Sequence, residues 1–172
     1  MITLNAVFWM LVAVFAAIGA MRGWAKELLV TFSAILALFI ITVLEQFVPF
    51  MSAFLTEGGA ERQFATRALI IVGISFFGYQ TPNIQRLSEV LVRERFQDSL
   101  LGLFIGLLNG YFVVGTVMYY MNQFNYPFDF IFPPVTEEAL NYINYLPPAL
   151  LGIPAVYFAV AIAFTFVVIV LI

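Results

Sequence analysis

The chain has 172 residues, 63% of them hydrophobic and 10% charged, with a mean hydropathy of +1.02. Soluble domains run at roughly 45–50% apolar and about 25% charged, so the composition excludes a soluble globular domain and points to lipid as the solvent. Cysteine and histidine are absent, which excludes disulfides, thiolate chemistry, zinc–thiolate and imidazole metal sites and histidine-ligated haem, and the formal charge of −3 with seven dispersed basic residues argues against nucleic acid, which needs a basic field.

The first predicted span covers about 3–20. Its basic residue follows the apolar run instead of preceding it, so the segment reads as a retained span and not a signal peptide. A short charged hairpin follows, with Arg22, Gly23, Trp24, Lys26 and Glu27. The second span, about 27–47, places Glu27 in its first turn, where a carboxylate suits the positive end of the helix dipole; Pro49 marks its end. Gly58-Gly59 breaks the next stretch, which predicts a short interfacial turn or helix.

The third span, about 64–79, is short after Arg67, so that guanidinium must snorkel or pair inside the protein. Over 83–97, Ile84, Leu87, Val90 and Leu91 share a face opposite Arg86, Glu89 and Arg93, which predicts an amphipathic helix lying on the membrane surface or on a partner.

The fourth span, about 99–121, is long enough at about 1.5 Å per residue to cross a hydrocarbon core about 30 Å thick. Ser99, Gly102, Gly106, Asn109, Gly110 and Thr116 fall within about one third of its circumference. That stripe predicts a helix-packing seam, used within the molecule or for self-association, with Asn109 as an interhelical amide. Gly115 lies off the stripe and admits a second helix or a lipid. The connection 122–148 is rich in aromatic residues, among them Phe124, Tyr126, Phe128, Phe130 and Phe132, and it has no Lys or Arg. Thr136 is expected to cap a short helix carrying Glu137 and Glu138, closed by Pro147-Pro148. Asp129 and these two glutamates lack the accompanying groups that catalysis requires. A fifth span covers 149–172, with Pro154 in its first turn; it ends without a polar anchor, which raises the expectation of further chain beyond Ile172.

The expected fold is all-α: a polytopic α-helical membrane protein with four spans in residues 1–121, the extracytoplasmic connection, a fifth C-terminal span and one cytoplasmic interfacial helix. With the N-terminus outside, Arg22, Lys26, Arg86, Arg93 and Arg95 fall in the cytoplasm against Arg62 and Arg67 outside, as the positive-inside rule prefers. Arg22, Gly23, Lys26, Glu27 and Asp98 then form a charged corner at the cytoplasmic interface. It serves either as a topology signal or as a docking corner in which the hairpin pairs with Asp98 or Glu94 through exposed contacts of about 0–1 kcal/mol each.

Two motifs together resemble the colicin V production protein family of bacterial inner-membrane proteins. One is Gly19-x-x-Arg22-Gly23-x-x-Lys26-Glu27-x-Leu29 after the first span; the other is Asp98-x-x-Leu101-Gly102-x-x-x-Gly106-x-x-x-Gly110 at the start of the fourth. The resemblance covers about 3–121, with the connection and the fifth span outside it. It implies a four-span core in the inner membrane, a part in toxin production or export and envelope homeostasis, and no enzymatic mechanism or cofactor. The expected partner is the lipid bilayer, with other membrane subunits or a second copy at the glycine seam as alternatives. Three functions are therefore carried forward: a non-enzymatic accessory factor, a structural or assembly subunit of a larger membrane complex, and a small channel or carrier. The last ranks third because Asn109 and a few hydroxyls are the only deep polar groups foreseen.

Overall fold

The computed structural model describes residues 4–80, 95–128 and 142–171. The predicted amphipathic helix lies outside them except for its last three residues, as do Glu94, Asp129, Phe130, Phe132, Thr136, Glu137 and Glu138. The described residues form seven helices and no strand. They are α1 (Leu4–Arg22), α2 (Trp24–Phe47), α3 (Pro49–Thr56), α4 (Ala60–Tyr79), α5 (Arg95–Gln123), α6 (Pro147–Leu150) and α7 (Ala155–Leu171). The chain is a polytopic α-helical membrane protein. Helices α1, α2 and α5 are long and apolar enough to cross a membrane, and α7 adds a shorter apolar stretch over 155–169.

The helices extend past the apolar runs that reveal them. α1 continues through Arg22, α2 begins at Trp24, α4 at Ala60 and α5 at Arg95, because charged residues at a helix end solvate in the interface without breaking the backbone ladder. Pro147 and Pro148 open α6, at N-terminal positions where proline's missing amide costs nothing; the short helix expected before them lies outside the described residues apart from helical backbone at 142–143. One expectation near the C-terminus is corrected. Pro154 precedes α7, which starts at Ala155; Gly152 and the residue before proline both disfavour helical backbone there.

Helix α5 is the centre of the bundle. It runs antiparallel to α1, with Ser99 beside Ala20, Gly102 beside Gly19 and Gly110 beside Val12. It runs parallel to α2, with Asn109 beside Thr31 and Tyr120 in one apolar cluster with Ile41. Helix α4 returns antiparallel to α2: Gly78 faces Val30 and Ser33 at one end and Arg67 faces Glu45 at the other. Phe32 against Phe166 and Phe39 against Tyr157 set α7 antiparallel to α2. Successive long helices therefore alternate in direction.

The core between α2, α4, α5 and α7 is built of Ala34, Ala37, Leu38, Ile71, Val113 and Val156. Ala34 and Ala37 let its helices approach closely, since helices in lipid associate by close van der Waals packing and hydrogen bonds, lacking the hydrophobic drive that water supplies. The large apolar side chains lie outside, with Leu69, Phe77 and Phe158 exposed, as lipid-facing surfaces require. Residues 142–147 fold over α1 and α5. Tyr142 meets Phe8 edge-on at 5.4 Å, the Tyr111 hydroxyl donates to the Tyr145 carbonyl, and Gly115 receives Leu146 and Pro147, so its open face takes this turn. Burial beside Tyr111 pushes the Tyr142 phenol up to about 12, so it stays neutral at physiological pH.

Candidate functional site

The glycine ladder brings α1 and α5 into backbone contact. A Cβ on Gly19 would stand 2.9 Å from the Gly106 Cα, one on Gly106 would stand 3.1 Å from the Ala16 Cα, and one on Gly110 would stand 2.9 Å from the Val12 Cα. That approach carries the start of α5 to the hairpin joining α1 and α2. Gly23, the single residue between these helices, has φ +85°, a conformation costly for residues with a Cβ. A Cβ there would also stand 2.8 Å from an Asp98 carboxylate oxygen.

Asp98 and Ser99 satisfy the helix ends that meet at this hairpin. The first turn of α2 has no side-chain cap of its own; the Trp24 amide donates to Asp98 Oδ1 at 3.2 Å, so the cap comes from α5. Ser99 Oγ donates to the Ala20 carbonyl at 2.7 Å, taking one of the orphan carbonyls at the end of α1.

One turn further into α2, Glu27 is fully buried. Arg22 Nη1 donates to Glu27 Oε1 at 2.7 Å, and Asn109 Nδ2 donates to Oε2 at 2.8 Å. The Tyr79 hydroxyl donates to the same oxygen at 3.3 Å. Asn109 Nδ2 also reaches the Glu27 carbonyl at 3.0 Å, while its Oδ1 accepts from Thr31 Oγ1 at 2.7 Å. With acceptors on one side and a hydroxyl donor on the other, the amide of Asn109 is held in one orientation. Arg22 completes the assembly: Nη2 donates to the Tyr79 carbonyl at 2.9 Å, capping α4, and the guanidinium lies 4.5 Å from the centre of the Tyr79 ring. Four long helices are joined at one end of the bundle by groups that bond one another.

Desolvating a carboxylate costs several kcal/mol, and a buried pair offsets this only when every lone pair and proton is used. Glu27 comes close to that condition, with three hydrogen bonds shared between its two carboxylate oxygens. The charged corner foreseen as exposed is therefore corrected: Glu27 is interior, Arg22 pairs with Glu27, Asp98 serves the Trp24 amide, and Lys26 stands apart and exposed.

The stripe on α5 divides between two neighbours. Ser99, Gly102, Gly106 and Gly110 face α1, whereas Asn109 bonds to α2. At about 100° per residue, Asn109 and Thr116 lie about 20° and 40° to one side of Gly102, and Gly106, Ser99 and Gly110 about 40° to 80° to the other. Thr116 is fully buried, and its hydroxyl has no hydrogen-bond partner.

A second ion pair lies toward the opposite end. Arg67 is 4% exposed; its Nη2 is 2.6 Å and its Nε 2.8 Å from Glu45 Oε1. Nη1 donates to the Leu55 and Gln63 carbonyls, both at 3.1 Å, and the guanidinium lies 4.9 Å from the Phe124 ring centre and 5.5 Å from that of Tyr120. Sequence reasoning anticipated that Arg67 must snorkel or pair inside but missed Glu45. The available signal was an acidic residue near the end of one apolar run facing, across a short connection, a basic residue in the next. Among the described residues no cluster of three potential metal ligands occurs.

The family model described as colicin V production protein matches residues 4–142, extending into the connection that the two motifs leave out. Neither a curated protein nor a solved structure matches the chain. The chain belongs to the colicin V production protein family, and the two motifs through which it resembles that family supply Gly19, Arg22, Gly23, Glu27, Asp98, Gly102, Gly106 and Gly110 to one buried junction.

Proposed function

We propose that the protein is a non-enzymatic accessory factor of the bacterial inner membrane, with its N-terminus outside and its C-terminus in the cytoplasm, serving toxin production or export or envelope maintenance. α4 and α7 cross the bilayer in this reading, so that five helices alternate in direction. The observation that carries it is the commitment of the junction's polar groups, Arg22, Glu27, Tyr79 and Asn109, to helix–helix bonds. Both carboxylate oxygens of Glu27 are occupied by Arg22, Asn109 and Tyr79, an arrangement that fixes helix geometry and leaves no free nucleophile or base at the junction. Family membership supports the accessory role.

The test is complementation of a deletion strain. Wild type is expected to restore toxin release or envelope integrity, and a Glu27→Leu variant present in the membrane at normal abundance is expected to fail. Full rescue by that variant would refute a role for the junction. The subunit reading needs a face other than the glycine ladder, which α1 covers. Purification of the native protein in a gentle detergent separates the two readings, since stoichiometric companions support the subunit and a lone protein supports the accessory factor.

A further inference from the structure

Along α5, Gly115 lies eight residues before Gln123 and Tyr111 twelve, which at about 1.5 Å per residue puts them about 12 Å and about 18 Å in from that end of the helix. The uncharged run 99–121 is about 33 Å long by the same rise, so Tyr111 sits near the middle of a hydrocarbon core about 30 Å thick. The segment before α7 is pinned at this depth. A Cβ on Gly115 would stand 2.9 Å from Pro147 Cδ and 3.3 Å from Leu146 Cδ2, the Tyr111 hydroxyl donates to the Tyr145 carbonyl, and Val156 joins Val113 in one buried cluster.

Between Asn144 and Pro154 only the single turn of α6 is helical, because Pro147 and Pro148 have no amide to give and Gly152 and the residue before Pro154 disfavour helical backbone. The amides of Tyr145, Leu146, Ala149, Leu150 and Leu151 bond within the segment at 2.8–3.2 Å, whereas those of Gly152 and Ile153 take part in none of its backbone bonds. Gly152 lies between Pro147 and Val156, the two contacts that set the depth. One side of the segment is covered, with Leu146 fully buried and Tyr142 edge-on to Phe8. On the open side Asn144, Tyr145, Gly152 and Ile153 are exposed.

We propose that residues 144–153 border a water-filled notch that opens at the end of the bundle where α5 ends and reaches toward Tyr111 near the middle of the bilayer. Irregular backbone at membrane depth stands only where protein covers it or water reaches it, since hydrocarbon offers an amide nothing. A neighbouring transmembrane helix could not satisfy the open groups with its backbone, whose carbonyls are bonded within the helix. Water can meet a carboxamide, a phenol and two backbone N–H groups together. Among the described residues this lining carries no charge, so the notch admits water and neutral polar solutes and gives an ion no counter-charge. That it opens to the extracytoplasmic side rests on the N-outside reading above.

The test compares single cysteines in the full chain, which has none of its own, by their rate of labelling in intact cells with an impermeant, charged thiosulfonate. The reagent needs a thiolate, which forms in water and not in hydrocarbon. Replacing Tyr145 spares its carbonyl, which carries the bond from Tyr111, and Asn144 is exposed, so neither change disturbs the packing. Val72→Cys is the lipid control. Val72 is 48% exposed and stands five residues along α4 from Arg67, whose guanidinium lies against Phe124, so it is about 8 Å in from the end of α5 and shallower than Gly115. Asn144→Cys and Tyr145→Cys should react within about tenfold of the rate of Gln123→Cys at the end of α5, and Val72→Cys at least about a hundredfold more slowly. Labelling of Asn144→Cys and Tyr145→Cys as slow as that of Val72→Cys, while Gln123→Cys reacts, overturns the notch; its recovery on detergent extraction would then assign the open side to a protein neighbour. If Gln123→Cys, Asn144→Cys and Tyr145→Cys all react but only after permeabilisation, the notch stands and the N-outside orientation fails.

Discussion

The contact between α1 and α5 depends on the missing side chain at Gly102. A methyl placed there would stand 3.0 Å from the carbonyl carbon of Gly19 and 3.1 Å from that of Gly23, whereas carbon atoms pack at about 3.5–4.0 Å. Both obstacles are backbone and cannot rotate aside, so the helices must separate by about 0.5–1 Å, weakening the Ser99 bond to the Ala20 carbonyl and the Asp98 bond to the Trp24 amide. Overpacking of this kind costs about 1–3 kcal/mol, against a helix-propensity gain of up to about 1 kcal/mol for replacing glycine by alanine. Gly73 provides the control, because a Cβ there meets nothing within 4 Å; Gly73→Ala should be neutral or slightly stabilising. Thermal unfolding in detergent, followed by the fluorescence of Trp9 and Trp24, should place Gly102→Ala below Gly73→Ala by about 2–12 °C, taking about 2–4 °C per kcal/mol for a chain of this size. Equal melting temperatures for the two variants would refute the close packing of α1 on α5.

Asp98→Ala removes the cap that α5 supplies to α2 and should cost about 1 kcal/mol, read in the same unfolding assay; Asp98→Asn, which keeps an acceptor, should recover most of it. Arg67→Leu leaves Glu45 without its partner. Since that carboxylate is 31% exposed, its loss should fall below the roughly 3–5 kcal/mol of a fully buried pair, and a cost as large as that of Glu27→Leu would contradict the burial difference. The chain has no cysteine, so single cysteines report topology directly. Gln97→Cys should react with an impermeant thiol reagent only after permeabilisation and Gln123→Cys in intact cells, with the reverse pattern placing the N-terminus inside.

The helices were legible because the apolar runs are long and uninterrupted, and the break at Gly23 and the turn around Gly58-Gly59 follow from glycine in charged surroundings. The glycine stripe on α5 was visible in its spacing, but its division between α1 and α2 was not. A projection along one helix gives the angles of Asn109 and Gly110 without saying that two neighbours approach from different sides. Glu27 was misjudged for a related reason. Hydropathy sees a charge at the edge of an apolar run and assigns it to the interface, while its burial depends on Asn109, 82 positions later, and Tyr79, 52 positions later. Arg67 revealed itself as costly in a short span, yet the partner that resolves the cost lies on another helix. Local pattern thus gave the elements, and the long-range pairing of polar groups had to come from the packing.

The central claim is that Glu27 and Asn109 are coupled across α2 and α5 as the polar centre of the junction. A double-mutant cycle in thermal unfolding measures it, with Glu27→Leu, Asn109→Leu and both together. The 2.8 Å bond between fully buried groups predicts a coupling of at least about 1 kcal/mol, within the roughly 0.5–3 kcal/mol found for contacting residues. Effects that add to within about 0.5 kcal/mol, as they do for distant sites, would contradict it.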